Sequence, residues 1–313
     1  MKIVVTGTRG IPGIQGGVET HCQELYPLIA DEQHEIIVIR RPNYAVERSV
    51  QIYKQVAIKD ISAPRSKHLE AFVHTFKAVI YARKVKADIV HIHAVGPALM
   101  TPVARLLGMK VVITHHGPDY DRDKWGRFAK WILCMGERAG VYYANHIIVI
   151  SEHIRQIIYH QYSAKRNVTL IHNGVNVPTR VIGTEYLESL DLTEYGYVLA
   201  VGRFVKEKNL DQLVEAFTQL SSPSMKLVIA GDADFQDEYA QKLKEVCWKQ
   251  KNICLTGFIK GDKLAQLYTY AKVFVLPSTH EGLPIALLEA MSYNDATPSL
   301  AQAIKMKKFN QDG

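Results

Sequence analysis

Long apolar runs are absent from this 313-residue sequence, and cysteine is scarce. No run approaches the roughly 18 to 20 apolar residues that a transmembrane helix needs, and Met1–Ile3 begin no secretory leader pattern. The four cysteines show no C-x-x-C spacing and stand inside apolar patterns, so we expect reduced packing residues. These absences predict a cytoplasmic protein, and the length allows one large domain or two medium ones.

The positive charge is confined to one half of the chain. Residues 1–150 contain 20 Lys and Arg against 13 Asp and Glu, whereas residues 151–313 contain 18 of each kind. The whole excess of +7 therefore lies in the N-terminal half, which indicates an anionic partner there. No basic tail accompanies it, which argues against nucleic acid. The inner face of an anionic membrane, or an acceptor that carries a lipid diphosphate, fits this positive charge better.

One segment, Lys124–Tyr143, combines aromatic and basic residues. Helical spacing can place Trp125, Phe128, Ile132 and Met135 on one face, with basic residues beside them. Such a face can lie on a membrane surface. For any single residue, however, we expect the commoner arrangement, in which the side chain packs into the core.

Short apolar runs alternate with longer amphipathic stretches, which predicts repeated βα units and parallel sheets. A first series fills residues 1–172, and a second fills residues 197–313. Residues 173–196 between them are poorly patterned, which is typical of a linker. We therefore predict an α/β protein with two Rossmann-like domains.

The turn after the first predicted strand, Gly7–Gly13, has the G-x-x-G-x-x-G spacing of nicotinamide-dependent dehydrogenases and sugar epimerases. The pair Gly16-Gly17 delays the helix, however, so no helix begins at Gly10. The next strand also ends in Arg40-Arg41 instead of an acidic residue that would bind a ribose. We predict instead that the first helix begins at Gly16 and Gly17, where backbone amides can approach the phosphate of a bound donor substrate.

The most specific pattern is the stretch Lys272–Ser292. The apolar run Val273–Leu276 predicts a buried parallel strand, and Pro284 stands where a helix would begin. Glu281 and Glu289 bracket the turn and the helix. A helix N-terminus after a strand is an anion site, and a glutamate at its mouth suits sugar hydroxyls, which donate to an ionised acceptor.

The segment Glu281–Glu289, with the surrounding strings PS, EGLP and LLEAM, resembles the E-x7-E element of retaining glycosyltransferases of family 4. That family has the two-domain GT-B fold. The resemblance implies transfer of a sugar from a nucleotide-sugar donor to a saccharide or lipid-linked acceptor in capsule or surface polysaccharide synthesis. It implies that Glu281 binds sugar hydroxyls and that Glu289 binds the ribose. The backbone amides of Gly282 and Leu283 would bind the diphosphate.

Other positions match the same family. Arg203 and Lys208 correspond to its diphosphate clamp, and Gly16-Gly17 resemble its glycine loop. His116, at a predicted strand end, matches the histidine that faces the sugar from the other domain, which makes His116 and Glu281 the catalytic candidates. A solvated loop and a structural histidine are the alternatives, and we expect His115 to be structural.

Acidic pairs raise the alternative of a metal-dependent GT-A glycosyltransferase, which would hold Mg²⁺ or Mn²⁺ on a D-x-D motif. Asp232 and Asp234 follow a predicted strand, and Asp119, Asp121 and Asp123 alternate in a loop. In the GT-A fold that motif lies in the middle of one domain, whereas here a linker and a second βα series surround it. We therefore expect no metal and no other cofactor.

The resemblance stops after Tyr293. Family members continue with another buried strand, a second glycine loop and further helices, whereas residues 294–313 contain no apolar strand. We expect an incomplete second domain, low stability and little transferase activity. A non-catalytic remnant that binds nucleotide sugars is the alternative function.

Overall fold

The chain forms two compact units, residues 1–173 and residues 174–313. Each unit has its own largely parallel sheet with helices packed on it, so the predicted α/β fold is confirmed. The computed structural model describes residues 1–64, 70–121, 125–162, 167–176, 183–220, 225–233, 237–279, 281–293 and 304–305.

The first unit is built on an eight-stranded sheet. Its elements are β1 (Lys2–Thr6), α1 (Gly17–Ile29), β2 (Glu35–Arg40), β3 (Ile52–Tyr53), β4 (Val56–Asp60), α2 (Glu70–Lys84), β5 (Ile89–His93), α3 (Thr101–Leu106), β6 (Lys110–His115), α4 (Arg127–Tyr143), β7 (His146–Val149), α5 (Glu152–Tyr162) and β8 (Val168–Leu170). The strand order is β3-β4-β2-β1-β5-β6-β7-β8. Among these described strands, β3 is antiparallel to β4 and the other pairs are parallel.

Both faces of this sheet are covered by apolar side chains, as expected for parallel strands. On β2, Ile37 and Ile39 join a core cluster with residues of α2, whereas Ile36 and Val38 join a cluster with residues of α1. The β5 sequence Ile-Val-His-Ile-His alternates in the same way, but one of its two faces carries the histidines His91 and His93. Val90 and Ile92 enter the cluster with α2, and the strand alternation turns the two histidines toward α1.

The pair β3–β4 was not predicted from the sequence. Its two-residue turn, Lys54–Gln55, has positive φ at both positions, +43° and +69°. Both central residues of a type I′ hairpin turn adopt such values, and Asn-Gly is the usual sequence there. Lys-Gln gives no such signal, so the pattern did not indicate a hairpin.

The second unit has a five-stranded sheet in the order β11-β10-β9-β12-β13. Its elements are α6 (Glu185–Ser189), β9 (Tyr197–Val201), α7 (Leu210–Thr218), β10 (Lys226–Ala230), α8 (Glu238–Trp248), β11 (Ile253–Gly257), α9 (Asp262–Thr269), β12 (Val273–Leu276), α10 (Ile285–Tyr293) and β13 (Ile304–Lys305). All these strands pair in parallel. Two clusters of buried side chains, one containing Leu199 and the other Ala200, show that apolar residues also line both faces of this sheet.

Two segments of the second unit differ from expectation. The stretch predicted as a linker, residues 173–196, contains α6. Two leucines of this stretch, Leu187 and Leu192, are buried in the same core cluster as Leu267 of α9. The prediction of no strand after Tyr293 is wrong for Ile304–Lys305, which pair with Val275 and Leu276. Two residues are too few to give a periodic sequence pattern. The rest of 294–313 lies outside the described residues.

Helix α4 presents much of its apolar surface to solvent. The exposed fractions are 73% for Phe128, 59% for Trp131, 38% for Met135 and 56% for Tyr142. The expectation that Phe128 and Met135 face the core is therefore wrong, because the helix packs instead through Gly136, Glu137 and Gly140. In the described part of the chain, no helix combines the length and the apolar character needed to cross a membrane.

Candidate active site

The glycine turn of the first unit is fixed by close approaches of the backbone. Gly7 has φ +91°, and a Cβ there would lie 2.2 Å from the His93 carbonyl oxygen. Gly16 precedes α1 with φ +148°, and a Cβ there would lie 2.0 Å from Glu19 Oε2. Gly17 is different, because a Cβ there would meet no atom within 4 Å. The start of α1 therefore has an open side at Gly17.

A carboxylate that sequence reasoning missed also lies at this helix start. Glu19 is buried in the first turn of α1, and its Oε1 accepts a hydrogen bond from the Arg9 amide at 3.0 Å. A negative charge already interacts with the positive end of the helix dipole there. The predicted contact of Gly16 and Gly17 with a donor phosphate would have to form beside this charge, and it stays a prediction.

His116 is the end of a hydrogen-bonded series of side chains, which we call the imidazole chain. His91 Nε2 lies 2.8 Å from Thr114 Oγ1, and His91 Nδ1 lies 2.8 Å from the Tyr26 hydroxyl. The same hydroxyl lies 2.6 Å from His93 Nε2, and His93 Nδ1 lies 2.9 Å from His116 Nε2. Thr114, Tyr26, His91 and His93 are buried, whereas His116 is partly exposed. The imidazole chain therefore leads from the interior to the carboxyl edge of the sheet.

The imidazoles of this chain are uncharged. Burial lowers the pKa of His91 to about 3, and the nearby His21 adds to the effect. Burial and the neighbouring imidazoles also place the pKa of His93 and of His116 well below the usual histidine range. Each ring therefore carries one hydrogen and one lone pair near neutral pH. The ring of His21, on α1, lies edge-on to His116 with centroids 5.4 Å apart.

His115 takes the structural part expected of it. Its Nδ1 accepts from the Gly117 amide at 3.1 Å, so its hydrogen is on Nε2, which donates to Glu137 at 2.6 Å. Tyr120 and Tyr162 also donate to this buried carboxylate. Burial alone raises the pKa of Glu137, but the hydrogen bonds, first that of His115, outweigh it and lower the pKa. Glu137 thus fixes the loop that follows His116.

In the second unit, two of the predicted site residues lie at the carboxyl ends of two neighbouring strands, β9 and β12. Lys208, in the turn after β9, forms an ion pair with Glu281, which follows β12. The Asn209 side chain donates to the Pro277 carbonyl at 3.0 Å, and the Thr279 amide donates to the Glu207 carbonyl at 3.2 Å. These bonds hold the two loops together, so the structure brings Lys208 and Glu281 into contact.

Arg203 stands at the beginning of the same turn. A Cβ at the preceding Gly202 would lie 3.6 Å from Lys208 Cδ, so the lysine stem packs over this glycine. The side chains of Lys208 and Glu281 are 22% and 18% exposed. Gly282 and Leu283 lie between Glu281 and the start of α10. Arg203 thus precedes Lys208 in one turn, and Gly282 and Leu283 directly follow the carboxylate that Lys208 contacts.

Glu289 occupies a separate position on α10. Its Oε2 accepts a hydrogen bond from the Tyr268 hydroxyl at 2.9 Å, and the ring of Tyr293 stacks on Tyr268 with centroids 5.4 Å apart. Burial, followed by the nearby Glu289, raises the pKa of Tyr268 well above its usual value. Tyr268 therefore keeps its hydroxyl hydrogen and donates it to Glu289. Sequence reasoning gave Tyr268 no such role.

The acidic pairs do not assemble a metal site among the described residues. Asp232 forms an ion pair with Lys244 at 2.6 Å, and Asp234 lies outside the described residues, as does Asp123. Across the described ranges, no group of three or more His, Cys, Asp or Glu side chains has a metal-binding arrangement.

Comparisons with known proteins identify the family to which both units belong. The family model described as Glycosyltransferase Family 4 matches residues 15–178, and the model described as Glycosyl transferases group 1 matches residues 185–301. An uncharacterized glycosyltransferase of Methanocaldococcus jannaschii is 27% identical over 321 residues, which cover 93% of this chain and 78% of the relative.

Two further similarities are informative. The UDP-Gal:alpha-D-GlcNAc-diphosphoundecaprenol alpha-1,3-galactosyltransferase of Escherichia coli is 25% identical, over 93% of this chain and 77% of that protein. The structure of Anabaena HepE in complex with UDP-glucose superposes with a TM-score of 0.74 at 16% identity, over 94% of this chain and 78% of HepE. The second likeness concerns the fold. The family model spans more than half of the chain, so the protein belongs to glycosyltransferase family 4 and is a glycosyltransferase with the GT-B type of fold.

Proposed function

We propose that this glycosyltransferase moves a sugar from a nucleotide-sugar donor to a saccharide or lipid-linked acceptor, with retention, in the synthesis of a capsule or other surface polysaccharide. The observation that carries the proposal is the contact of Lys208 with Glu281 in the loops that also hold Arg203. A cation suited to diphosphate and a carboxylate suited to sugar hydroxyls are adjacent, so one nucleotide sugar could engage both.

Each candidate residue then has one task. Arg203, Lys208 and the amides of Gly282 and Leu283 would stabilise charge that develops on the leaving diphosphate. Glu281 would accept hydrogen bonds from sugar hydroxyls, and Glu289 would hold the ribose. In the first unit, His116 would contact the sugar, and the open side at Gly17 leaves space for a ligand beside α1.

Retention without an enzymic nucleophile would proceed on one face of the sugar. The acceptor hydroxyl would attack from the side that the diphosphate leaves, and the departing diphosphate oxygen would take the acceptor's proton. Cationic side chains and backbone amides would perform the charge stabilisation that a metal provides in other transferases. We therefore propose that turnover needs no metal and survives treatment with EDTA.

A binding measurement tests the clamp. Lys208→Ala and Arg203→Ala should each weaken binding of UDP, the nucleotide of the HepE complex, by about 1.5–3 kcal/mol, because a charge-assisted contact is lost. Titration calorimetry would measure the change. Lys242→Ala is the matched control, since Lys242 forms an exposed pair with Glu238 on α8. Unchanged UDP affinity in both clamp variants would contradict the assignment.

The exposed face of α4 suggests how a lipid-linked acceptor could be reached. Its rings of Phe128 and Trp131 stack with centroids 6.0 Å apart, and the Arg138 guanidinium lies 5.8 Å from the centre of the Tyr142 ring. The one acidic residue of α4, Glu137, is buried. Aromatic and basic groups without exposed acids suit an anionic membrane surface. We therefore propose that the enzyme works in the cytoplasm, at the inner face of the membrane.

Sedimentation with vesicles tests this placement. The protein should pellet with phosphatidylglycerol vesicles and less with phosphatidylcholine vesicles, and Phe128→Ser combined with Trp131→Ser should reduce pelleting. Trp248→Ser is the control, because Trp248 is also 73% exposed but lies on α8 of the second unit. Equal pelleting of the α4 variant and the control would remove the proposed membrane contact.

A further inference from the structure

The imidazole chain determines which nitrogen of His116 carries the hydrogen. Every ring in it is neutral, and every hydroxyl has one hydrogen, so each link has one donor and one acceptor. Each imidazole donates on one side and accepts on the other, so the direction of the links can change only at the Tyr26 hydroxyl, which has one hydrogen and two lone pairs. If Tyr26 accepted from both His91 and His93, its own hydrogen would be buried without an acceptor, because Tyr26 is 1% exposed and these two rings are its hydroxyl's partners among the described residues. The links therefore all donate toward His116 or all donate away from it.

The inner end of the chain decides between the two directions. Thr114 is 1% exposed, and His91 Nε2 is the one hydrogen-bond partner of its hydroxyl in the described part of the structure. If the chain donated away from His116, Thr114 would accept, and its own hydrogen would be buried without an acceptor. A buried donor without a partner is costly. In the opposite direction every buried hydrogen has an acceptor.

We propose that the imidazole chain is a positioning device that holds His116 in the tautomer with its hydrogen on Nδ1. Thr114 donates to His91, His91 Nδ1–H donates to Tyr26, Tyr26 donates to His93, and His93 Nδ1–H donates to His116 Nε2. The outward nitrogen of His116 is then a donor. Its ligand must offer an oxygen lone pair, as a sugar hydroxyl or carboxylate does.

Two adjacent histidines thus have opposite tautomers. His115 carries its hydrogen on Nε2, because its Nδ1 accepts from the Gly117 amide. His116 carries its hydrogen on Nδ1, because its Nε2 accepts from His93. The identity of the His116 ligand rests on the proposed function, but the tautomer does not, since it follows from contacts within the first unit.

Nitrogen NMR of the unliganded, full-length protein labelled with ¹⁵N-histidine tests the inference directly. Near neutral pH, the shifts of the two ring nitrogens show which one is protonated. His116, assigned by loss of its signals in His116→Gln, should be protonated on Nδ1. Protonation of His116 on Nε2 would overturn the proposal. The expected tautomer in a protein that binds no nucleotide sugar would refute the proposed function alone.

Two variants test the role of the chain. Tyr26→Phe removes the central hydroxyl and frees His93 to carry its hydrogen on Nε2, so His116 should become a mixture of tautomers. Thr114→Ser keeps the hydroxyl donor and should leave His116 on Nδ1. Tyr197→Phe is the control, since this buried tyrosine donates to the Leu267 carbonyl in the second unit. An unchanged His116 spectrum in Tyr26→Phe, as in the control, would overturn the positioning role.

Discussion

The two units position their candidate residues by different means. In the first unit, His116 ends a buried series of neutral hydrogen bonds that is complete without a ligand. In the second unit, Lys208 and Glu281 neutralise each other as a partly exposed ion pair. In the proposed function, a diphosphate would have to compete with Glu281 for Lys208, whereas a sugar hydroxyl would meet a His116 ring that is already oriented.

This difference indicates which candidate residues are held in place before a ligand binds. Buried neutral hydrogen bonds keep their geometry and respond little to salt, whereas exposed ion pairs are screened and exchange partners readily. We therefore expect substitutions in the first unit to act mainly on stability. In the second unit we expect them to act mainly on ligand binding.

The largest expected effect is on the stability of the first unit. Gly7→Ala should lower the free energy of unfolding by about 3 kcal/mol, because φ is +91° and the new Cβ would collide with the His93 carbonyl. Urea unfolding would measure it. Gly17→Ala is the control and should change stability by less than about 0.5 kcal/mol, since its Cβ meets no atom. Similar losses of unfolding free energy in Gly7→Ala and Gly17→Ala would show that the close approach at Gly7 does not cause the effect.

Glu137→Gln should lower the free energy of unfolding by about 2 kcal/mol, because charge-assisted hydrogen bonds to a buried carboxylate are lost. The exposed Glu152→Gln, which loses a pair with Arg155, should cost less than about 0.5 kcal/mol.

The same carboxylate predicts a pH dependence. The pKa of Glu137 in the folded protein is below its ordinary value of 4.5, so its contribution is fully present above that pH. It is lost as the pH falls through the folded pKa. Acid unfolding of Glu137→Gln should therefore be less steep in that range than acid unfolding of the wild type. Parallel curves would show that Glu137 contributes nothing through its charge.

A smaller effect should separate nucleoside from diphosphate recognition in the second unit. Tyr268→Phe removes the hydrogen bond that orients Glu289 and should weaken UDP binding by about 1 kcal/mol. Inorganic diphosphate, which has no ribose, should bind as it does to the wild type. Tyr239→Phe, which loses a bond to Asp211, is the control for a lost tyrosine hydroxyl. Equal weakening of both ligands in Tyr268→Phe would argue against a ribose contact of Glu289.

The smallest effect concerns the ion pair itself. Glu281→Gln should change the free energy of unfolding by about 0.5 kcal/mol or less, because both partners reach solvent. Thermal unfolding at low and high salt would measure it. A loss as large as that of Glu137→Gln would mean that the two units are not built differently.

The regular elements were predictable because their patterns are local. Val273–Leu276 was predicted as a strand with the bounds that the structure shows, since buried parallel strands form short apolar runs. The family resemblance assigned Lys208 and Glu281 to one site, but their contact depends on β9 and β12 being neighbours in the sheet, an order that the sequence pattern does not give.

The support behind the site could not be predicted from the sequence. His91 and His93 fit the alternation of a strand, but Tyr26 lies 65 residues earlier than His91, and no pattern joins them. Glu137 is one charged residue in an amphipathic helix, and its partners Tyr120 and Tyr162 lie outside that helix. Such networks depend on tertiary packing, which leaves no periodic signal.

The turn at Lys54–Gln55 offers a route to protein engineering. Two side-chain-bearing residues there adopt left-handed conformations that Asn and Gly adopt more easily. Lys54→Asn with Gln55→Gly would relieve that conformational cost in a hairpin at the edge of the sheet, where β3 is the last strand. No candidate site residue lies in this hairpin, so a sturdier enzyme could be made without altering its chemistry.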